Sequence, residues 1–167
     1  MPVDNKLLRL FGKDSAIFLK GRQCENQGLG VGAFAYYRRV VENHRSDIID
    51  GIIGVSKTVA ASNELIANLE NAKAEISFSK SIDVIKDGIP QGLLINGHNP
   101  LTLLHKALSI GLHSATDEEC LSAAHDIRLV LAELADRMAT LKKNDAELSA
   151  AVHRLLKQEP RGAVSDN

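Results

Sequence analysis

Residues 31–60 carry the feature that most constrains the fold, a run of apolar side chains spaced three or four positions apart. This spacing matches the period of an α-helix and predicts one amphipathic helix with a buried face. The positions are Phe34, Tyr37, Val41, His44, Ile48, Ile52, Val55 and Val59. Gly51 and Gly54 each weaken a helix by about 1 kcal/mol relative to Ala, so they indicate a kink or a close approach by another backbone. The sequence leaves the continuity of this helix open. We expect His44 to be a satisfied core or interface residue rather than a catalyst.

A second long stripe lies nearer the carboxyl end of the chain. Thr116 and Glu119 have the spacing of a capping box, which marks the start of a helix. The apolar positions that follow are Leu121, Ala124, Ile127, Leu131, Leu134, Met138 and Leu141. Asn144 and Glu147 resemble a second capping box, which predicts a separate short helix through Leu156. We expect the two long helices to bury one face internally and another across a dimer.

Shorter helices are predicted around these two. Asn99-Pro100 combines a capping residue with proline at the first helical position, which favours a helix start. The other predicted segments are helices at about 62–77 and 78–88, an N-terminal arm at 1–13 and a disordered tail at 158–167. Short connections favour antiparallel neighbours. The sequence therefore predicts one domain over residues 1–157, an all-α antiparallel bundle of about five to seven helices.

The composition agrees with helix packing. Only 4% of the 167 residues are aromatic and Trp is absent, so the core must be aliphatic, which favours helices over a β-sandwich. The formal net charge of −1 gives no electrostatic reason for non-specific binding to nucleic acid or to an anionic membrane. No apolar run is long enough to span a bilayer. Without a recognisable signal peptide, we expect a cytoplasmic protein in which Cys24 and Cys120 are free thiols.

The histidines are the first candidates for chemistry. Three of the six, His98, His105 and His113, fall close together in the sequence. A zinc site needs three or four ligands around one point, whereas residues eight positions apart on one helix are rotated by about 80°. No HExxH motif or neighbouring carboxylate completes a set. We therefore predict no metal site and no cofactor.

Two segments suggest ligand binding, each with a simpler alternative. The stretch GLGVG at residues 28–32 suggests a phosphate loop, but it lacks the Lys-Ser/Thr of a P-loop and a preceding strand, so a glycine-rich helix junction is the alternative. The run YYRR at 36–39 offers stacking and cationic groups that could hold RNA, or its arginines are solvated or paired with Glu42. A small ligand could also bind in a cleft around residues 88–113. The candidate ligand-binding residues are Arg38, Arg39, Glu42, His98 and Asn99.

The order of these segments resembles a known family. A helix reading GAFAYYRRVVE is followed by charged helices, by NGHNPLTLLHKALSIGLHSATDEECL and by AAHDIRLVLAEL. This order, over roughly residues 30–140, resembles bacterial domains related to the HEPN superfamily. The resemblance implies a bundle of four or five helices that often dimerises. It also implies that active members are metal-independent ribonucleases, in which a His moves protons and an Arg steadies phosphate charge.

The catalytic pattern of that family is altered in this chain. The nearest cation before His113 is Lys106, with six residues between them, and His105 has no Arg within reach. On a continuous helix Lys106 and His113 would share a face about 10.5 Å apart, but Lys lacks the planar fork with which Arg binds phosphate. We therefore expect a non-catalytic interaction domain that homodimerises. The alternatives are a ribonuclease that uses His113, Lys106 and His105, and a module that binds a small ligand or nucleotide.

Overall fold

The structure is a computed structural model that describes residues 5–85, 88–111 and 113–158. Its α-helices are α1 (Asn5–Phe11), α2 (Ser15–Asn26), α3 (Gly30–Asn43), α4 (Arg45–Thr58), α5 (Asn63–Ala74), α6 (Phe78–Ile85), α7 (Pro100–Leu108) and α8 (Asp117–Lys157). Single 3₁₀ turns lie at Gly12–Asp14 and Gln91–Leu93. The described residues contain no β-strand, and the predicted all-α bundle is confirmed. Residues 1–4 of the predicted arm and 159–167 of the predicted tail lie outside the described residues.

Helix α8 is the central element of the bundle. It packs against α1, α2, α3, α4 and α7, while α5 packs between α4 and α6. The predicted N-terminal arm forms α1, whose Leu7 and Phe11 are buried. The buried positions of the predicted α8 stripe are Ala124, Ile127, Leu131, Leu134 and Met138. The core is therefore aliphatic along α8. The buried aromatic rings lie elsewhere, most of them on α1, α2 and α3, and Phe78 on α6.

The helical stripe over residues 31–60, whose continuity the sequence left open, is divided between two helices, α3 and α4. The backbone of His44 leaves the helical region, with φ −106° and ψ 18°, and separates α3 from α4. The helical hydrogen bonds continue across the break, because the His44 amide donates to Val40 and the His44 carbonyl accepts from Ile48. The apolar positions nevertheless stay on the buried side from Phe34 to Val55, and only Val59 is exposed.

Neither Gly51 nor Gly54 interrupts α4. A Cβ atom on Gly51 would lie 3.1 Å from Sδ of Met138, and one on Gly54 would lie 3.1 Å from Nζ of Lys142. The two glycines therefore let side chains of α8 approach α4 closely. Neither the kink nor the close approach by another backbone is present here, because the atoms that approach the two glycines belong to side chains.

The predicted helix starts are confirmed at three sites and wrong at one. In the capping box of α8, the Glu119 amide donates to Oγ1 of Thr116 over 3.1 Å and the Thr116 amide donates to the Glu119 carboxylate over 2.9 Å. Ser62 and Asn99 cap α5 and α7 through their side chains. Asn144 starts no new helix, because α8 runs through it without a break. A residue acts as an N-cap only where its own backbone lies outside the helical conformation. Asn144 lies within a continuous helix and does not meet this condition.

In the described part of the chain, no helix has an apolar stretch long enough to cross a bilayer. Helix α8 reaches 41 residues, but acidic and basic side chains recur along its length.

Candidate functional site

The structure places Lys106 and His113, the predicted ribonuclease pair, on different elements. Helix α7 ends at Leu108, so His113 lies beyond it, exposed in the connection to α8. Lys106 is exposed on α7 itself. The condition for a shared helix face, a helix that continues from Lys106 to His113, is therefore not met, because α7 ends at Leu108.

Three other predicted residues come together around one small cavity. Arg38, Glu42 and His105 line a space of about 230 Å³ between α3 and α7. Nε of Arg38 donates to Glu42 over 3.0 Å, and the His105 ring lies 6.1 Å from the ring of Phe78. Of the alternatives that the sequence offered for Arg38, the structure therefore has the one in which this arginine pairs with Glu42. Arg39 is exposed on the same helix.

His98 and Asn99 belong to the turn that starts α7. Oδ1 of Asn99 accepts from the Leu101 amide over 3.0 Å, and its Nδ2 donates to the Ile85 carbonyl over 3.3 Å. The exposed His98 exchanges backbone hydrogen bonds with Ile95. Both polar atoms of the Asn99 side chain are occupied by backbone groups, which assigns Asn99 a role in holding α7 against α6.

The glycine-rich stretch at residues 28–32 is a helix junction. Gly28 adopts a positive φ of 74°, which ends α2. A Cβ atom on Gly30 would lie 1.9 Å from the Asp117 carbonyl oxygen, so only glycine fits where α3 meets α8. The Val31 amide donates to the Asp117 carboxylate over 2.9 Å. The Asp117 carboxylate thus already accepts the hydrogen bond of an amide that could otherwise bind an anion at the start of α3.

The Glu25 carboxylate is the centre of a polar cluster that the sequence did not predict. The Glu25 side chain is only 8% exposed. Nε of Arg128 lies 2.9 and 3.0 Å from its two oxygens, and Nη1 of Arg22 lies 3.3 Å away. The hydroxyl of Tyr37 donates to it over 2.5 Å. Nδ1 of His125 lies between this carboxylate and Arg128, so it either donates to the first or accepts from the second.

These contacts change the acidity of the cluster. Burial by itself raises the pKa of a carboxyl group, but hydrogen bonds from Arg128, Tyr37 and His125 outweigh burial. The pKa of this carboxyl group falls to about 2. Burial and the hydrogen bond to the carboxylate raise the pKa of the Tyr37 hydroxyl. The cluster therefore holds a charged carboxylate and a neutral phenol over the neutral pH range, as a structural tie between α2, α3 and α8.

His44 is a satisfied core residue, as predicted. Its Nε2 lies 2.7 Å from Asp14 and its Nδ1 lies 2.8 Å from Asp47. The imidazole is 8% exposed and its edge contacts the ring of Phe11. Because both ring nitrogens face a carboxylate, only the doubly protonated ring donates to both. His44 therefore ties the break between α3 and α4 to the turn before α2.

The carboxyl-terminal part of α8 carries a large apolar surface. No residue of 139–157, here called the α8 extension, is buried. Leu148, Val152 and Leu155 are 65%, 46% and 66% exposed, and Leu156 is 80% exposed. Scattered exposed leucines are ordinary, whereas several exposed apolar side chains together on one helix are a candidate interaction surface.

The apolar side chains of the α8 extension continue the buried stripe of α8. Its full set of positions, alternately three and four residues apart, is Cys120, Ala124, Ile127, Leu131, Leu134, Met138, Leu141, Asp145, Leu148, Val152 and Leu155. This is the heptad repeat that packs one helix against another. The stripe is buried as far as Met138 and exposed from Leu148 onward. Asp145 is its one charged position.

No group of three or more His, Cys, Asp or Glu side chains among the described residues is arranged to hold a metal ion. Comparison of the chain with family models, with curated proteins and with solved structures found no match.

Proposed function

We propose that this chain is a non-catalytic helical interaction domain that homodimerises by pairing its α8 extension with that of a second copy. The observation that carries the proposal is the heptad stripe of α8, which is buried within the bundle and then continues into solvent at Leu148, Val152 and Leu155. A stripe of this kind is stabilised when a second helix covers it. The HEPN-like order of segments supports the same function, since such domains often dimerise.

Charge at Asp145 favours an antiparallel pair. In a parallel pair in register, Asp145 would face its own counterpart at the seam, and two like charges there repel. In an antiparallel pair centred on residue 150, Leu148 faces Val152 of the second copy and Asp145 faces Leu155, close to Arg154. The small side chains next to residue 150 then flank the centre of the seam, which allows the two helices to approach each other closely.

The mass of the protein in solution tests the proposal. We expect light scattering to give twice the chain mass of 18.1 kDa at protein concentrations between about 1 µM and about 1 mM. A Kd in this range corresponds to binding free energies of about 8.2 to about 4.1 kcal/mol. Leu148→Glu should give a monomer, because it places a charge in the seam. The matched control is Ala150→Glu, which adds the same charge on the opposite, exposed face and should leave the dimer intact. A monomeric parent, or a dimer that Leu148→Glu leaves unchanged, would disprove this dimer.

Disulfide trapping tests the direction of the pair. Cys24→Ser leaves Cys120, which is buried and whose thiol pKa is raised by burial, so it stays protonated and unreactive. In this background an antiparallel pair should cross-link through Ala151→Cys, near its centre, and not through Leu148→Cys. The reverse result would indicate a parallel pair.

The non-catalytic part of the proposal has a separate test. We expect structured RNA incubated with the dimer in EDTA to remain intact. Cleavage that disappears in His113→Ala or His105→Ala would instead establish the ribonuclease alternative, whatever the oligomeric state.

A further inference from the structure

A second cavity lies between α7 and α8, on the half of α8 that the bundle covers. Its volume is about 420 Å³, within the range of about 300–1,000 Å³ that is common for small-ligand sites. The buried side chains of Leu104, Ala123 and Ile127 form its floor. Apart from one lysine and one aspartate, every described residue that lines it is aliphatic. A ligand that matches this lining therefore has an aliphatic body.

The two charged residues of the cavity have opposite signs and come from different helices. Lys106 lies on α7 and Asp126 on α8, and both are exposed. No ion pair or side-chain hydrogen bond joins either of them to another described residue. A ligand with a single negative charge would meet repulsion from Asp126, and one with a single positive charge would meet repulsion from Lys106. A head group that carries both charges satisfies both side chains.

We propose that this cavity binds a free aliphatic α-amino acid as its zwitterion. The ligand carboxylate pairs with Lys106, the ligand ammonium group pairs with Asp126, and the aliphatic side chain enters the space above Leu104 and Ile127. This site is independent of the α8 extension, because its α8 residues precede Met138. Ligand binding in this cavity can therefore be tested separately from dimerisation.

Isothermal titration with four small molecules tests the ligand class. Norleucine has both charges and a straight aliphatic chain, while hexanoate and hexylamine each have one charge, and glycine has the zwitterion without the chain. We expect saturable binding of norleucine and at least about tenfold weaker binding of the other three, since each lacks one of the required interactions. Absence of norleucine binding would overturn the proposal, and so would hexanoate, hexylamine or glycine binding as tightly as norleucine.

Variants of the two charged residues test the assigned contacts. Lys106→Gln and Asp126→Asn should each weaken norleucine binding by about fivefold, the upper range for one exposed ion pair. Asp126→Asn should at the same time strengthen hexanoate binding, because it removes the repelling carboxylate. Lys143→Gln, an exposed lysine on the α8 extension, is the matched control and should change neither affinity. Equal norleucine binding in the parent and both cavity variants would overturn the proposed contacts.

Discussion

Tyr37 on α3 donates its hydroxyl hydrogen to Glu25 on α2 over 2.5 Å, and the same carboxylate is bound by Arg128 on α8. Three helices thus meet at one charged group whose side chain is 8% exposed. A buried charge is tolerated when such partners surround it, and removing it leaves those partners without their acceptor. This relationship leads to the first prediction.

Glu25→Gln should lower the free energy of unfolding by about 1–3 kcal/mol at neutral pH, because the Arg128 and Tyr37 donors lose a charged acceptor. The folded-state pKa of Glu25 is about 2, below its ordinary value of 4.5. The stability that the ionised Glu25 carboxylate contributes is therefore fully present above pH 4.5 and is lost as the pH falls towards 2. Urea titrations across this range should show a shallower acid dependence in the variant. Glu118→Gln, at an exposed glutamate, should keep the parent slope, and an equal slope in Glu25→Gln would contradict the prediction.

Gly30→Ala should destabilise the protein even though alanine normally favours a helix. The new Cβ atom would lie 1.9 Å from the Asp117 carbonyl oxygen, so α3 and the first turn of α8 must move apart. Overpacking of this kind costs about 1–3 kcal/mol. Thermal unfolding should show a lower Tm for Gly30→Ala than for Val31→Ala, whose side chain is exposed. A Tm for Gly30→Ala at or above that of the parent would refute the tight junction.

Asp14→Asn should cost more stability than Asp47→Asn. Both carboxylates bind His44, but the Asp14 side chain is 23% exposed and the Asp47 side chain is 59% exposed. Water screens the more exposed pair and can replace its hydrogen bond. We expect a loss of about 1–2 kcal/mol for Asp14→Asn and below about 1 kcal/mol for Asp47→Asn in chemical denaturation. The opposite order would show that Asp47 is the main partner of His44.

Asp145→Leu should strengthen the proposed dimer. A charged residue at a seam position specifies the pairing at a cost in stability, so its replacement should lower the Kd by about tenfold, equivalent to about 1.4 kcal/mol. Analytical ultracentrifugation of the parent and the variant measures this change. Glu147→Leu also removes an exposed carboxylate of the α8 extension, but away from the seam. If both variants tighten the dimer equally, general hydrophobicity rather than the seam is responsible.

Local signals predicted the helices and several of their starts. The capping box of Thr116 and the Asn99 cap were recognisable because each depends on residues within three positions of one another. The stripe from Phe34 to Val55 was recognisable because burial follows the helical period. The break at His44 was missed, since its ring is held partly by Asp14, 30 positions earlier.

The candidate sites were harder to predict than the helices. The α8 extension carried a detectable signal, a heptad repeat through Leu155, but Asp145 interrupts its apolar pattern and the supposed cap at Asn144 concealed its continuity. The Glu25 cluster carried no local signal, because Arg128 is 103 positions away. Arg38 and His105 were chosen by residue type, and only packing placed them around the same cavity.

By itself the sequence determined that this chain forms amphipathic helices with an aliphatic core, because helix period, capping and composition act over a few residues. The tertiary structure alone decided which residues meet. It placed Lys106 and His113 on different elements, joined Glu25 to Arg128, and left Leu148 and Leu155 uncovered. These outcomes depend on how α8 packs against the amino-terminal helices and where that packing ends. Contacts between residues far apart in the chain follow from the packing of whole helices, which no local pattern specifies.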